Sequence, residues 1–129
     1  MSLCLSVEAV CALHDEFPDG GSLRDRGLLE SALGRPHASA FGQDAYPTLI
    51  GRAAVLLHGV SNAHAFVDAN KRTAWSCCVT YLALHGLYVV GVTKVEAGEF
   101  VLAVVKGTVD LTGVGRWLNE HNTTDRPWP

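Results

Sequence analysis

Between Asn70 and Leu84 apolar side chains fall on all sides of a helical wheel: Ala74, Trp75, Cys77, Cys78, Val79, Tyr81, Leu82 and Leu84. A helix with no polar face has to be buried all round, so the rest of the chain must wrap it. With 129 residues there is enough chain for one hydrophobic core and too little for two comfortable ones. The expected architecture is all-α: a compact single domain over 1–129, with its core in about 5–118 and an irregular tail over 119–129.

The flanking segments supply further helices. Leu5, Val7, Val10, Cys11, Leu13 and Phe17 nearly keep helical spacing after a Ser6 N-cap, and Pro18-Asp19-Gly20-Gly21 stops the pattern. Asp25 caps a short helix through Leu28, Leu29, Ala32 and Leu33, which Gly34 and Pro36 end. From His37 to Pro47 there is little periodicity, which predicts a loop able to act as a flap. Thr48 opens a helix through Ile50, Ala53, Ala54, Leu57 and Val60 that closes near Ser61-Asn62, and Gly86 ends the central helix. The β-branched run Leu87 to Val92 fits either a strand or a buried connection. Thr93 and Glu96 form a capping box for a helix through Phe100, Val101, Val104 and Val105 that Gly107 ends. Asp110 caps a last one carrying Leu111, Val114, Trp117 and Leu118.

Composition excludes several classes of function. Hydrophobic residues are 48% and charged residues 18% of the chain, a folded protein's balance. A formal net charge of -3 lacks the basic footprint of a nucleic-acid binder. No apolar run reaches the roughly 20 residues that span a bilayer, and the start has acidic Glu8 and no basic n-region, so no signal peptide is expected. The four cysteines, Cys4, Cys11, Cys77 and Cys78, form no C-x-x-C pair and read as buried thiols in a reducing compartment. Cytoplasmic location follows as the expectation. None of Lys71, Lys94 or Lys106 follows a glycine, so there is no Walker A loop, and H-R-D and D-F-G segments are absent. His14, His37, His58, His85 and His121 lack H-x-x-x-H spacing, which argues against zinc. His58 could line a cleft with His64 or simply sit on a helix face; Arg24, Asp25 and Glu30 are expected to support the fold or the cleft edge.

Chemistry concentrates at His64-Ala65-Phe66-Val67-Asp68-Ala69-Asn70-Lys71-Arg72, just before the buried helix. Cations are disfavoured at a helix N-terminus. Even so, Lys71 and Arg72 are the only charged residues between Asn70 and Leu84. Unpaired N–H groups, the helix dipole and two cations together describe an anion site, with phosphate the obvious occupant. Asp68 is a carboxylate of the kind that holds Mg²⁺ alongside phosphate oxygens. His64 is the group able to take a proton near neutral pH. Asn70 fits a helix cap or an amide contact to phosphate, and Phe66 fits a loop anchor in the core.

The segment HAFVDANKR resembles the H-x-F-x-[DE]-[AG]-N-[GK]-R signature of the Fic/Doc family, matching all seven specified positions, and its Ala-Asn-Lys-Arg ending is similar to the Doc branch. LSVEAVCALHDEF, LRDRGLLESALGRP and the helix leading into His64 are similar to the same branch, so the resemblance covers roughly 5 to 118. It implies the Fic/Doc helical fold and an ATP- and Mg²⁺-dependent transferase. In it His64 deprotonates a protein hydroxyl, Asp68 binds the metal, and Asn70, Lys71 and Arg72 hold nucleotide phosphates; His64, Asp68, Lys71 and Arg72 form the catalytic set.

AMP-transferring members carry G-N-G-R-x-x-R, whereas this chain has Lys71 in place of the second glycine and Trp75 in place of the second arginine. The resemblance therefore implies a Doc-type toxin of a toxin–antitoxin system: a kinase passing the γ-phosphate of ATP to Ser or Thr of a translation factor, with elongation factor Tu the suggested target. None of the six glutamates follows Ser or Thr by four residues, so the family's internal inhibitory motif is missing. A Phd-type antitoxin is then the implied inhibitor. AMP or other nucleotidyl transfer, and an inert Fic-fold module that only binds nucleotide or antitoxin, are the alternatives.

Overall fold

The computed structural model describes residues 4–128. Among the described residues six α-helices carry the fold: α1 (Val7–His14), α2 (Arg26–Gly34), α3 (Leu49–Ala63), α4 (Asn70–Leu84), α5 (Lys94–Val105) and α6 (Leu111–Glu120). Two small antiparallel pairs are added, β1 (Ser39–Ala40) with β2 (Gln43–Asp44), and β3 (Tyr88–Val89) with β4 (Asn122–Thr123). The result is the mostly helical architecture expected of a Fic/Doc fold.

Local chemistry explains most helix starts. Ser6, Asp25, Thr48, Thr93 and Asp110 each accept a hydrogen bond from a first-turn N–H, and Thr93 with Glu96 completes a capping box. The exception is α4, which begins after Ala69 with no side-chain cap. The central pair is α3 and α4, with α2 and α6 against α3, α1 against α4, and α5 against both. Their shared core includes Val10, Leu29, Leu57, Cys77, Cys78, Tyr81, Leu82 and Leu118.

Several sequence expectations are corrected. The central helix is not buried on every side: Thr73, Ala74, Cys77, Cys78, Tyr81 and Leu82 form its buried stripe, while Leu84 is 47% exposed. Its start and its end at Gly86, which takes φ +80°, stand as expected. α1 stops at His14, so Phe17 lies beyond it in a turn. Gly34 stays helical and a 3₁₀ turn, Arg35–His37, follows. The expected loop from His37 to Pro47 folds as the β1–β2 hairpin around Phe41 and Gly42, with Phe41 fully exposed. Within the expected irregular tail, α6 runs on to Glu120 and Asn122–Thr123 pair with Tyr88–Val89, which makes the Leu87–Val92 run in part a strand. Cys77 and Cys78 are buried, but Cys4 is exposed and Cys11 half-buried.

Candidate functional site

The turn from α3 into α4 is bounded by two non-glycine residues in the left-handed region, His64 at φ 49° and ψ 42° and Ala69 at φ 61° and ψ 23°. Such backbone costs of order 1–3 kcal/mol per residue and persists only where the surroundings over-determine it. Here the surroundings are the segment between α1 and α2. Ala65 O accepts from Arg24 N (2.7 Å) and Asp25 N (3.0 Å), Val67 N donates to Ser22 O (3.1 Å), and Asp68 N donates to Gly20 O (2.9 Å). An Arg24 Nη2 contact to His64 O at 2.6 Å completes the clamp. Gly21 sits at φ +69°, and a Cβ there would come 2.8 Å from Val67 Cβ, so only glycine fits this approach.

Inside the turn, Asn70 does not cap α4. Its Oδ1 accepts from Phe66 N and its Nδ2 donates to Phe66 O, both at 3.0 Å, which corrects the cap expectation and leaves one amide hydrogen for a ligand. Phe66 is the core anchor expected of it, 2% exposed. Asp68 Oδ1 accepts from Ala69 N at 2.7 Å, and the side chain is otherwise open to solvent. The exposed His64 imidazole makes no hydrogen bond among the described residues. The first main-chain bond within α4 runs from Thr73 N to Ala69 O, so the N–H groups of Asn70, Lys71 and Arg72 precede the helical ladder.

Lys71 and Arg72 are exposed and open onto a groove of about 660 Å³ between the end of α1, α4 and α5, shared with Phe17, Trp75, Lys94 and Gly98. Arg72 Nη2 donates to Asp19 Oδ1 (2.9 Å) and Oδ2 (3.0 Å), and its guanidinium lies 4.9 Å from the Phe17 ring centroid. The bond from Arg72 holds the Asp19 carboxyl below its ordinary range. Trp75 meets Trp117 edge-on at 5.8 Å and is half-buried. His58 lies away from the turn, beside Arg35 at 3.4 Å, where burial lowers its pKa. A larger groove, about 770 Å³ between the start of α3 and α6, holds none of the signature residues.

His64 and Asp68 lie in the turn and Asn70, Lys71 and Arg72 in the helix start it leads into, and of the five only Lys71 and Arg72 line the groove; the structure adds residues to which sequence reasoning assigned no chemistry. Arg24 holds the His64 carbonyl, and Asp19 holds Arg72. The paired glycines at 20 and 21 were legible as a turn, yet they also signal a close backbone approach.

Among the described residues no group of three or more His, Cys, Asp or Glu side chains is placed to hold a metal. Asp68 would therefore share a cation with ligand oxygens and water, the usual habit of Mg²⁺. The uncapped α4 start, its two cations and this carboxylate fit a magnesium nucleotide.

The sequence model of the Fic/DOC family matches residues 4–82. The Toxin Doc of Mycolicibacterium smegmatis (strain ATCC 700084 / mc(2)155) is 45% identical over 82 residues, which cover 62% of this chain and 63% of that protein, less than two thirds of its length. The Protein kinase doc of Escherichia phage P1 is 28% identical over 118 residues, covering 88% of this chain and 91% of that protein.

Proposed function

The chain belongs to the Fic/Doc family, and on that premise we propose that it is a Doc-type toxin acting in the cytoplasm, a kinase that moves the γ-phosphate of ATP onto a Ser or Thr hydroxyl of a translation factor. The observation that carries this reading is the clamped turn that presents His64 and Asp68 at the one α-helix start lacking a side-chain cap among the described residues. The relative named as a protein kinase, similar over 88% of this chain, supports the reaction class. Elongation factor Tu is the target that the family resemblance suggests.

The roles follow from chemistry at each atom. The imidazole of His64 accepts the proton of the incoming hydroxyl as its oxygen attacks the γ-phosphorus, the bond from that phosphorus to the β,γ-bridging oxygen breaks and ADP leaves, and a positioned base of this kind contributes about 10² to 10⁴ in rate. The α4 N–H groups, the remaining Asn70 amide hydrogen, Lys71 and Arg72 grip phosphate oxygens. Arg72 spends only Nη2 on Asp19, which leaves Nε and Nη1 for a phosphate. Mg²⁺ bound through Asp68 would supply charge neutralisation on the transferring phosphate. Because phosphoryl transfer is mainly positioning and charge stabilisation, the direction in which ATP lies decides the product. Lys71 adds a cation where AMP-transferring relatives have glycine, and Trp75, packed on Trp117, provides no second arginine clamp. Both features favour the γ-phosphate over AMP.

A Phd-type antitoxin is the proposed regulator. The groove beside the turn, whose lining sets the cations Lys71, Arg72 and Lys94 against the one carboxylate Glu16 and adds the apolar Trp75, Ala97 and Val101, suits an acidic, partly apolar segment of such a partner. Intact-mass measurement of elongation factor Tu after incubation with the protein, ATP and Mg²⁺ tests the reading: a gain of one phosphate supports it, and a gain of one AMP or no gain refutes it.

A further inference from the structure

Beneath the signature turn lies a polar side chain that the proposed chemistry does not use. His14, the last residue of α1, is 1% exposed. Its Nδ1 is 2.9 Å from Thr73 Oγ1, one turn into α4, and its Nε2 is 3.2 Å from Gly21 O. Its ring stacks on Phe66 at 3.7 Å between centroids and 16° between planes. Gly21 O can only accept, so Nε2 carries a hydrogen, and a ring with that single hydrogen accepts at Nδ1 from the Thr73 hydroxyl. A Cβ at Gly20 would come 2.6 Å from Cε1 and Nε2 of this ring, so the backbone closes tightly over the imidazole.

We infer that His14 is a positioning residue for the His64–Asp68 turn. It ties four things together: the end of α1, the first turns of α4, the Gly20–Gly21 backbone and the Phe66 anchor. The Gly20–Gly21 backbone is also the segment that receives Asp68 N at Gly20 O. A purely apolar ring would stack on Phe66 but leave the Thr73 hydroxyl, which is fully buried, without its partner, and would remove the tie to Gly21 O at the surface. With its ring bonded on both nitrogens, His14 sets where the glycine pair lies and, through Gly20 O, where the Asp68 main chain lies. The consequence for catalysis rests on the proposed transfer reaction; the consequence for the turn does not.

The test compares the parent protein with His14→Phe, His14→Gln and Thr73→Val, reading steady-state transfer kinetics, thermal melting and amide hydrogen exchange resolved by residue. His14→Phe keeps a stacking ring and removes both hydrogen bonds. The expected result is a loss of kcat of roughly tenfold to a hundredfold, the scale of a small misplacement near the chemistry, with KM for ATP changed less than about threefold. Exchange protection should fall at Val67 and Asp68 more than across the rest of α1 and α4. His14→Gln, which retains a donor of similar reach for Gly21 O, should recover part of both, and Thr73→Val should reproduce a milder form of the Phe defect. Parent-like kcat and protection in His14→Phe would overturn the assignment, and so would protection lost evenly over α1 and α4, which marks a residue of general stability. A parent protein that transfers nothing from ATP refutes the proposed reaction instead, while the exchange data still decide the role of His14.

Discussion

The Arg24 guanidinium lies 2.6 Å from the main-chain oxygen of His64, forty residues further along the chain. His64 is at φ 49°, a conformation a non-glycine side chain adopts only under constraint. Removing the guanidinium releases the carbonyl at the very residue proposed as base. Arg24→Ala is expected to lower kcat by about tenfold, since a charge-assisted hydrogen bond is worth roughly 1.5–3 kcal/mol and one pKa-sized step of 1.4 kcal/mol is tenfold in rate. The melting temperature should move by only a few degrees, because four main-chain bonds of the clamp remain. Paired kinetic and melting measurements check both halves.

His64 itself should separate function from fold more sharply. Its side chain is exposed and makes no hydrogen bond among the described residues, and the Arg24 contact is to its main chain. His64→Ala is expected to cut transfer by about 10² to 10⁴ while melting close to the parent. A variant that melts far lower but keeps its specific activity would return His64 to a structural role.

Asn70 should behave in the opposite way. Both of its amide atoms are engaged with Phe66 main-chain groups at 3.0 Å, so Asn70→Ala leaves a part-buried donor and acceptor unpaired. The expected cost is about 1–3 kcal/mol, seen as a clear fall in the denaturant midpoint together with loss of transfer. Retention of parent stability would show that the turn does not depend on this side chain.

The helix caps show what a sequence of this kind makes legible. Ser6, Asp25, Thr48, Thr93 and Asp110 were readable because an N-cap is a short-range device in which one side chain answers N–H groups two or three residues away. The bounds of α4 followed instead from its apolar run and from Gly86, which takes φ +80° just past its end, and not from a cap. The signature segment gathered His64, Asp68, Asn70, Lys71 and Arg72 in advance, since all lie within nine consecutive residues. What stayed hidden was the long-range pairing. The contacts of Gly20, Ser22 and Arg24 with residues 64 to 68 leave no periodic trace, and neither do strands of two residues each, such as Asn122–Thr123 against Tyr88–Val89. Of the two readings open for Asn70, helix cap or phosphate contact, the cap is ruled out because the backbone of Phe66 competes for its amide and wins.

Burial pushes the thiols of Cys77 and Cys78 up from 9.0 to about 12, with the neighbouring Cys77 adding to the effect on Cys78. In the unfolded chain both ionise near the ordinary value, so between about pH 9 and about pH 12 the unfolded state holds fewer protons than the folded one. Stability is therefore fully present below pH 9.0 and declines as pH rises toward about 12. Tyr81, also raised by burial, acts in the same direction. Melting temperatures measured from neutral to alkaline pH should fall along this limb, and the Cys77→Ala/Cys78→Ala double variant should show a shallower fall. An unchanged slope in that variant would contradict the assignment.

The central claim is that the clamped turn at α4 presents the terminal phosphate of ATP to a protein hydroxyl, with His64 as the base. Two parallel incubations with elongation factor Tu and Mg²⁺ test it most directly, one with ATP labelled at the γ position and one at the α position, each run also with His64→Ala and with Asp68→Ala. The account predicts label in the target protein from γ-ATP only, lost in both variants. Label from α-ATP, or γ label that survives removal of His64, would contradict it.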